Sequence, residues 1–417
     1  MLRSSFLSRP VALVVATPDE GYRGYCLQSV AAAYDVVLVT TEEPSWEVPF
    51  IRDCVVVPDL TDQAALSDAG RLLAERYDLA GVVTWSEWHL VQVARLARHL
   101  HLPTSTPEVM QACRNKATAR ALFARHGVPS AVSVSVRTRQ EAEAAAERIG
   151  YPVVLKPSAH AGAIGVLRAD TPQQLTAAFQ AAERTAERDA ENSSVLVEEY
   201  LDGPEISVEC VTYRGATTVV AVNRKALSPP PHFEQLAHSV DAADPLRKTV
   251  APAARAAITA LGITDGVSHV EMRLVDGRPR LIEVNARLAG DMIGHLVRLA
   301  TGIDLARAAA DIACGHTPDL TPTRSSAAAI RLLYPDTSGT LTRLSYDGSR
   351  PAWLDRLHFQ CGPGDQLLLP ADGGNLYTGR IGYLITTGAT SFQARARADQ
   401  AADNVTAAVV GPTGIAA

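Results

Sequence analysis

Over the first hundred residues, short β-branched apolar runs alternate with stretches whose apolar positions recur at helical spacing. The runs at 11–16, 36–41, 54–58 and 79–85 have strand length, and 60–77 and 87–100 have helix periodicity. Such alternation predicts a doubly wound parallel sheet with ligands at the carboxyl ends of its strands. The first strand runs into an expected loop, Pro18 to Gly24, that lacks the GxGxxG spacing of a dinucleotide site. Pro103 to Pro107 closes this unit.

A helix is expected over 107–126, broken by Gly127 and Pro129. A small α+β pattern follows: strand 131–136, helix 138–149, strand 152–156, a Gly-containing loop at 158–165, strand 166–169, helix 172–188 and strand 195–199. From Ile206 the pattern turns antiparallel, with strands at 206–213, 217–224 and 269–285 and helices near 246–261 and 304–314. The Pro-rich segment 228–245 reads as a surface loop able to cover a site. The tail from 325 has short strands and Gly/Pro turns and ends in an expected helix at 390–409. The implied domains are 1–106, 107–197, 198–324 and 325–417, a multidomain α/β and α+β chain ending in a strand-rich subdomain.

Composition narrows the function. At 417 residues the chain exceeds one ordinary core, and 47% hydrophobic with 20% charged residues excludes disorder. No apolar run approaches the roughly 20 residues a bilayer requires. A net charge of -6 and 5% aromatic residues offer neither a basic field nor a stacking platform for nucleic acid. The six cysteines are scattered with no CxxC pair, and the apolar stretch at 11–16 lacks a signal-peptide cleavage pattern, so a cytoplasmic location is expected.

The strongest chemical signal runs from His269 to Arg287. Asp276-Gly277 marks a hairpin turn between two alternating strands. If the hairpin is symmetric about Gly277, Glu271 faces Glu283 and His269 faces Asn285, with Arg287 on the same face. Val270, Met272, Ile282 and Val284 then form the buried face. Two facing carboxylates repel and need neutralisation; two Glu and an amide oxygen suit Mg²⁺ carrying substrate phosphates. Lysine is the second signal. Of 39 Lys and Arg, only positions 116, 156, 225 and 248 are Lys. Lys156 ends a strand and enters the small-residue loop 158–165, while Lys116 lies on a helix. A compact ammonium suits a phosphate, and small residues let backbone N–H groups approach an anion. Third, a buried strand ends in Glu198-Glu199 and re-enters a strand after Glu205, offering acceptors for an adenine amine and ribose hydroxyls.

In this order, the segments resemble the ATP-grasp family over roughly 111–314, flanked by domains like those of its carboxylase/ligase branch. The resemblance implies an ATP-grasp core of two α+β subdomains and the cofactors ATP and Mg²⁺. It implies Lys116 and Lys156 on the phosphates and 158–165, with Ser158, Gly162 and Gly165, as the lid loop. It puts Glu198, Glu199 and Leu201 at the adenine and Glu205 on the ribose. Glu271, Glu283 and Asn285 would hold Mg²⁺, and Arg287 would face an acyl phosphate. The stretch Asn285 to His295 is similar to that of L-amino-acid ligases, which join two unprotected amino acids; Arg287, Gly290 and His269 would then meet the substrate. The implied reaction is ADP-forming: ATP phosphorylates a carboxylate and an amine displaces phosphate. The expected partners are these small molecules, with no nucleic acid and no membrane; a homodimer is one assembly left open. A biotin-carboxylase-like or purine-pathway enzyme and a non-catalytic ATP-binding module are the alternatives. Residues 288–294 lack the Gln-Val-Glu-His stretch of biotin carboxylases, and a sensor need not keep the Glu271/Glu283/Asn285/Arg287 set.

Overall fold

A computed structural model describes residues 9–160, 162–187 and 193–411. Ala161 of the expected lid loop and position 188 of an expected helix lie outside the described residues. The chain begins with β1 (Val11–Val15), α1 (Glu20–Ala31), β2 (Asp35–Thr40), β3 (Asp53–Val56), α2 (Gln63–Arg76), β4 (Leu79–Val83) and α3 (Leu90–His99). The four strands form a parallel sheet in the order β3-β2-β1-β4. Alternate residues enter two cores, which is why the strands read as continuous apolar runs. Leu13, Val15, Val37 and Val39 pack on Leu73 and Leu96, while Ala12, Val14, Val36 and Leu38 pack on Leu27, Val30 and Leu296. The segment read as a loop from Pro18 to Gly24 is instead the start of α1, with the Asp19 side chain accepting from the Tyr22 amide. Gly21 hides the helical signal; an added Cβ would sit 2.4 Å from the His358 ring, which would have to move to make room.

The expected single helix at 107–126 is two: α4 (Pro107–Arg114) and α5 (Lys116–Arg125). Asn115, extended and capping α5 through the Thr118 amide, turns the chain between them. Next come β5 (Ser133–Val136), α6 (Arg139–Ile149), β6 (Val153–Pro157), β7 (Leu167–Ala169), α7 (Pro172–Ala186) and β8 (Val195–Glu199). They form a four-stranded antiparallel sheet, β5-β8-β6-β7, whose core is closed by α6 and α7.

The remaining chain contributes β9 (Glu205–Tyr213), β10 (Ala216–Leu227), β11 (Gln235–Asp241), α8 (Leu246–Leu261), β12 (Gly266–Val275), β13 (Arg278–Asn285), α9 (Ile293–Thr301) and α10 (Leu305–Ala313). Then follow β14 (Ala327–Leu333), β15 (Gly339–Tyr346), β16 (Leu354–Phe359), β17 (Gln366–Leu367), α11 (Leu376–Gly379), β18 (Gly382–Gly388), α12 (Ser391–Ala402) and β19 (Val405–Val410). An eight-stranded antiparallel sheet runs β13-β12-β9-β10-β11-β14-β18-β16, so strands from either side of position 325 share it. The loop expected at 228–245 shrinks, because β11 pairs with both β10 and β14. The expected terminal helix stops at Ala402, and β19 takes the rest, pairing with β15. Among the described residues no helix is long and apolar enough to cross a membrane.

The β12–β13 hairpin places the two glutamates across from each other, Glu271 opposite Glu283 and His269 opposite Asn285. Its route differs from the symmetric expectation. Asp276 and Gly277 have φ of 50° and 75° and form a two-residue turn that pairs Val275 with Arg278. That register alone would misalign the carboxylates. A bulge between the Met272–Leu281 and Glu271–Glu283 pairs inserts Ile282 and restores their alignment. Ile282, expected on the buried face, therefore lines the cavity instead.

Candidate active site

A cavity of about 940 Å³ lies between the three regions, floored by one face of β13, β12, β9, β10 and β11. The strands' period of two sorts their residues. Val208, Val222, Val270, Met272 and Val284 enter the core beneath α8, while Glu205, Lys225, His269, Glu271, Glu283 and Asn285 line the cavity.

The charges on this floor are paired. Lys225 Nζ lies 2.7 Å from Glu271 Oε1 and 3.2 Å from Glu205 Oε1. His269 Nε2 is 2.9 Å from the same Glu271 oxygen, and its Nδ1 is 2.8 Å from Oε1 of the fully buried Glu209. Burial alone would lower the imidazole pKa, but Glu209 and Glu271 raise it to about 9. At neutral pH it is therefore an imidazolium that donates to both carboxylates. Burial pushes the Glu271 carboxyl up, yet Lys225 and the His269 hydrogen bond hold it well below the usual range. Across the hairpin, Lys116 Nζ is 3.2 Å from Glu283 Oε2 and donates to the His160 carbonyl at 2.6 Å. Among the described residues no three His, Cys, Asp or Glu side chains converge as metal ligands. The available hard donors are two carboxylates and the Asn285 amide, each on the cavity wall.

Beside this floor, Glu198 binds Lys156 at 2.6 Å and Arg120 at 2.8 and 3.2 Å. Burial and the neighbouring Arg120 and Lys116 lower the Lys156 ammonium pKa despite Glu198. The two hinge carboxylates expected at the adenine line the cavity and are engaged by these and neighbouring cations. Glu198 is 3% exposed and turned to its cations, and Glu199 binds Arg280 at 2.8 Å and the Val132 amide at 3.1 Å. Leu201 remains on the cavity wall. Glu205, expected at a ribose, is held by Lys225 and by Arg273 Nε at 3.2 Å.

Other expectations also change. Ser158 is fully buried, its Oγ 2.7 Å from Ser194 Oγ, and does not line the cavity. Gly165 packs against α7, where an added Cβ would meet Thr185 Oγ1 at 2.5 Å; only Gly162 of the expected lid glycines reaches the cavity. His269, on the cavity wall, has both ring nitrogens engaged by carboxylates and so orients Glu271. Gly290 lines the cavity with open space where its side chain would be. Arg287 lies beyond the end of β13 and is clamped to Glu87 Oε2 at 2.5 Å, with Nη1 donating to the Leu288 carbonyl at 2.8 Å. Glu87, from the turn before α3, also pairs with Arg114 at 3.2 Å.

Sequence reasoning missed Lys225, Glu209, Arg120, Glu87, Asp291 and Arg380. The scarcity of lysine could have flagged Lys225. The 200-residue separation of Glu87 from Arg287 leaves no local signal.

Residues 115–321 match the family model described as "Carbamoyl-phosphate synthase L chain, ATP binding domain", and 29–104 match "ATP-grasp N-terminal domain". The uncharacterized protein y4rH of Sinorhizobium fredii is 30% identical over 334 residues, covering 78% of this chain and 68% of that protein. Carnosine synthase 1 of Homo sapiens is 28% identical over 292 residues, which are 64% of this chain but 35% of the synthase. The chain thus spans about a third of that relative. Among solved structures, the L-amino acid ligase of Bacillus licheniformis matches with a TM-score of 0.82 at 22% identity, covering 97% of this chain and all of that one. At that identity the likeness speaks for the fold. On its matched domains, its relatives and its architecture, the chain belongs to the ATP-grasp ligase family.

Proposed function

We propose that the chain is an ADP-forming carboxylate–amine ligase acting on an amino acid through an acyl phosphate. The observation that carries this reading is the convergence of Lys116, Lys156, Glu271, Glu283, Asn285 and Arg287 on one cavity. Lys116 and Lys156 suit nucleotide phosphates as point charges, and Glu198 holds Lys156 in place. Gly162 and its small neighbours let backbone N–H groups approach the same anion. Leu201 and the adjoining backbone would contact the adenine, since the Glu198 and Glu199 carboxylates are engaged.

Glu271, Glu283 and Asn285 offer oxygen donors that fit Mg²⁺. When bound there, the ion would offset charge on the transferring phosphoryl group. Lys225 and His269 keep Glu271 ionised and oriented. Arg287, braced by Glu87, would stabilise the acyl phosphate and the oxyanion that forms as the amine attacks. The similarity of the stretch Asn285 to His295 to that of L-amino-acid ligases supports an amino acid as the carboxylate. An ATP-consuming reaction of this kind fits a cytoplasmic setting.

The test is a screen of mixed L-amino acids with Mg-ATP, reading ADP, phosphate and product mass, with hydroxylamine added in parallel to trap an acyl phosphate as hydroxamate. Amide and hydroxamate with ADP and phosphate are the expected products. AMP and pyrophosphate would overturn the mechanism.

A further inference from the structure

A buried chain of hydrogen bonds crosses four strands of the cavity floor, β12, β9, β10 and β11. It begins at Glu271, which His269 Nε2 meets at 2.9 Å, and passes through His269 Nδ1 to Glu209 Oε1 at 2.8 Å. Ser207 Oγ lies 3.0 Å from the same Glu209 oxygen, and Asn223 Nδ2 lies 3.0 Å from Ser207 Oγ and 3.2 Å from His238 Nδ1. His238 Nε2 is 3.2 Å from Asp291 Oδ2, and Asp291 Oδ1 is 2.7 Å from Arg380 Nη1. Strand register sets the path, with His269 opposite Glu209 and Ser207 opposite Asn223. Ser207, Glu209 and Asn223 are fully buried, and His238 is 1% exposed. Desolvating such a row costs more than packing apolar side chains, as the other face of these strands does beneath α8.

Donors and acceptors fix the direction of the chain. A carboxylate only accepts, so Ser207 gives its one hydroxyl proton to Glu209 and its oxygen accepts from Asn223. The Asn223 atom facing Ser207 is therefore the amide nitrogen, whose second N–H points at His238 Nδ1. Turning the amide over would set its oxygen against the Ser207 oxygen. Nδ1 must then be bare, which leaves the single imidazole proton on Nε2, donated to Asp291. The opposite tautomer would put a bare Nε2 3.2 Å from an Asp291 oxygen, two acceptors that repel. Burial lowers the His238 pKa despite Asp291, and Lys225, opposite it on β10, and Arg380 also oppose a second proton. This orientation has a cost: among the described residues, Asn223 Oδ1 is buried with no partner.

We infer that Ser207 and Asn223 are positioning residues for the ligase reaction. With Glu209 they hold His238 in the tautomer that orients Asp291, and through it Arg380, on one cavity wall. The same buried carboxylate, through His269, orients Glu271 on another. The role in the reaction rests on the ligase reading; the tautomer does not. A chain that lost its direction would release Asp291 and with it the guanidinium that Asp291 fixes.

The experiment uses the full chain with isotope-labelled histidine and no nucleotide, the His238 signals being assigned by their loss in His238→Gln. Nitrogen chemical shifts should show Nε2 protonated and Nδ1 bare from about pH 6 to 8. Ser207→Ala frees the Asn223 amide to turn its oxygen to His238, so the Nδ1-protonated tautomer should reach a comparable population. Asn223→Asp places a carboxylate at each ring nitrogen and should make His238 doubly protonated at neutral pH. In parallel, hydroxamate formation with Mg-ATP and a donor amino acid should fall about tenfold in kcat for Ser207→Ala, with KM for ATP within about threefold of wild type. Ser207→Thr, which keeps the hydroxyl, should restore both tautomer and rate. A wild-type His238 protonated at Nδ1, alone or together with Nε2, overturns the inference whether or not any variant folds. So does a shifted tautomer with unchanged kcat, which leaves the chain no part in the reaction. The expected spectra with no hydroxamate from any donor overturn the ligase reading and the positioning role with it, while the tautomer stands.

Discussion

Replacing Glu198 with glutamine isolates what one buried carboxylate does for the nucleotide side of the cavity. Glu198 serves Lys156 at 2.6 Å and Arg120 at 2.8 Å, and none of the three side chains is more than 6% exposed. Arg120 in turn donates to the carbonyl of the bulge residue Ile282 at 2.6 Å, so the carboxylate ties α5, β6 and β8 to the hairpin. A neutral amide leaves two buried cations without a counter-charge, which costs about 3–5 kcal/mol. The cheapest relief is for Lys156, already below the usual ammonium range through burial, to release its proton. The variant should therefore lose both local stability and its grip on phosphate. Amide exchange protection in 153–157 and 195–199 should fall about 10²- to 10³-fold without nucleotide, and KM for ATP should rise. Burial alone would raise the Glu198 carboxyl, but Arg120 and Lys156 hold it below its unfolded value. Its contribution is thus present above the unfolded carboxylate pKa of about 4.3 and is lost as pH falls through the folded value. The wild type should weaken on that acid side, and the variant should lack this part of the slope. If the carboxylate served adenine instead, KM for ATP would rise while protection stayed within about tenfold of wild type, and the ion-pair reasoning would fail.

Three further outcomes follow from the same geometry. Glu271→Gln keeps the shape and hydrogen-bond capacity of the side chain but removes a donor charge; turnover in an ADP-release assay at saturating Mg²⁺ should drop about 10²-fold or more, and wild-type rates would reject the metal assignment. Hydrogen exchange over the described part of 158–165 should slow when Mg-ATP is added, through backbone N–H groups and Lys156; exchange that ignores saturating nucleotide counts against a lid. Gly81→Ala places a Cβ 2.2 Å from the Ala313 carbonyl oxygen, where β4 meets α10, and should cost about 1–3 kcal/mol in a thermal or denaturant melt; unchanged stability would mean that this contact yields freely.

What the sequence made legible was local. Period-two alternation around Asp276-Gly277 is enough to put Glu271, Glu283 and Asn285 on one face, because one buried face pins the register. Even there the alignment depends on Ile282, whose bulge no alternation pattern announces. Elements escaped notice where composition contradicted their state: α1 carries Gly21 and Gly24, β11 follows a proline run, and β19 is rich in alanine. The question of what neutralises the facing glutamates had an answer beyond a metal ion. Lys225 holds Glu271 and Lys116 holds Glu283. Lys225 comes from β10, two strands from β12, and reaches Glu271 only because β9 lies between them in the sheet. Strand order is a property of topology, and no spacing along the chain encodes it. The same holds for Arg287 with Glu87 and for Arg380 with Asp291, which join regions 200 and 89 residues apart. Residue type and periodicity mark where chemistry can sit; which charges meet there is decided by the sheet that brings distant strands side by side.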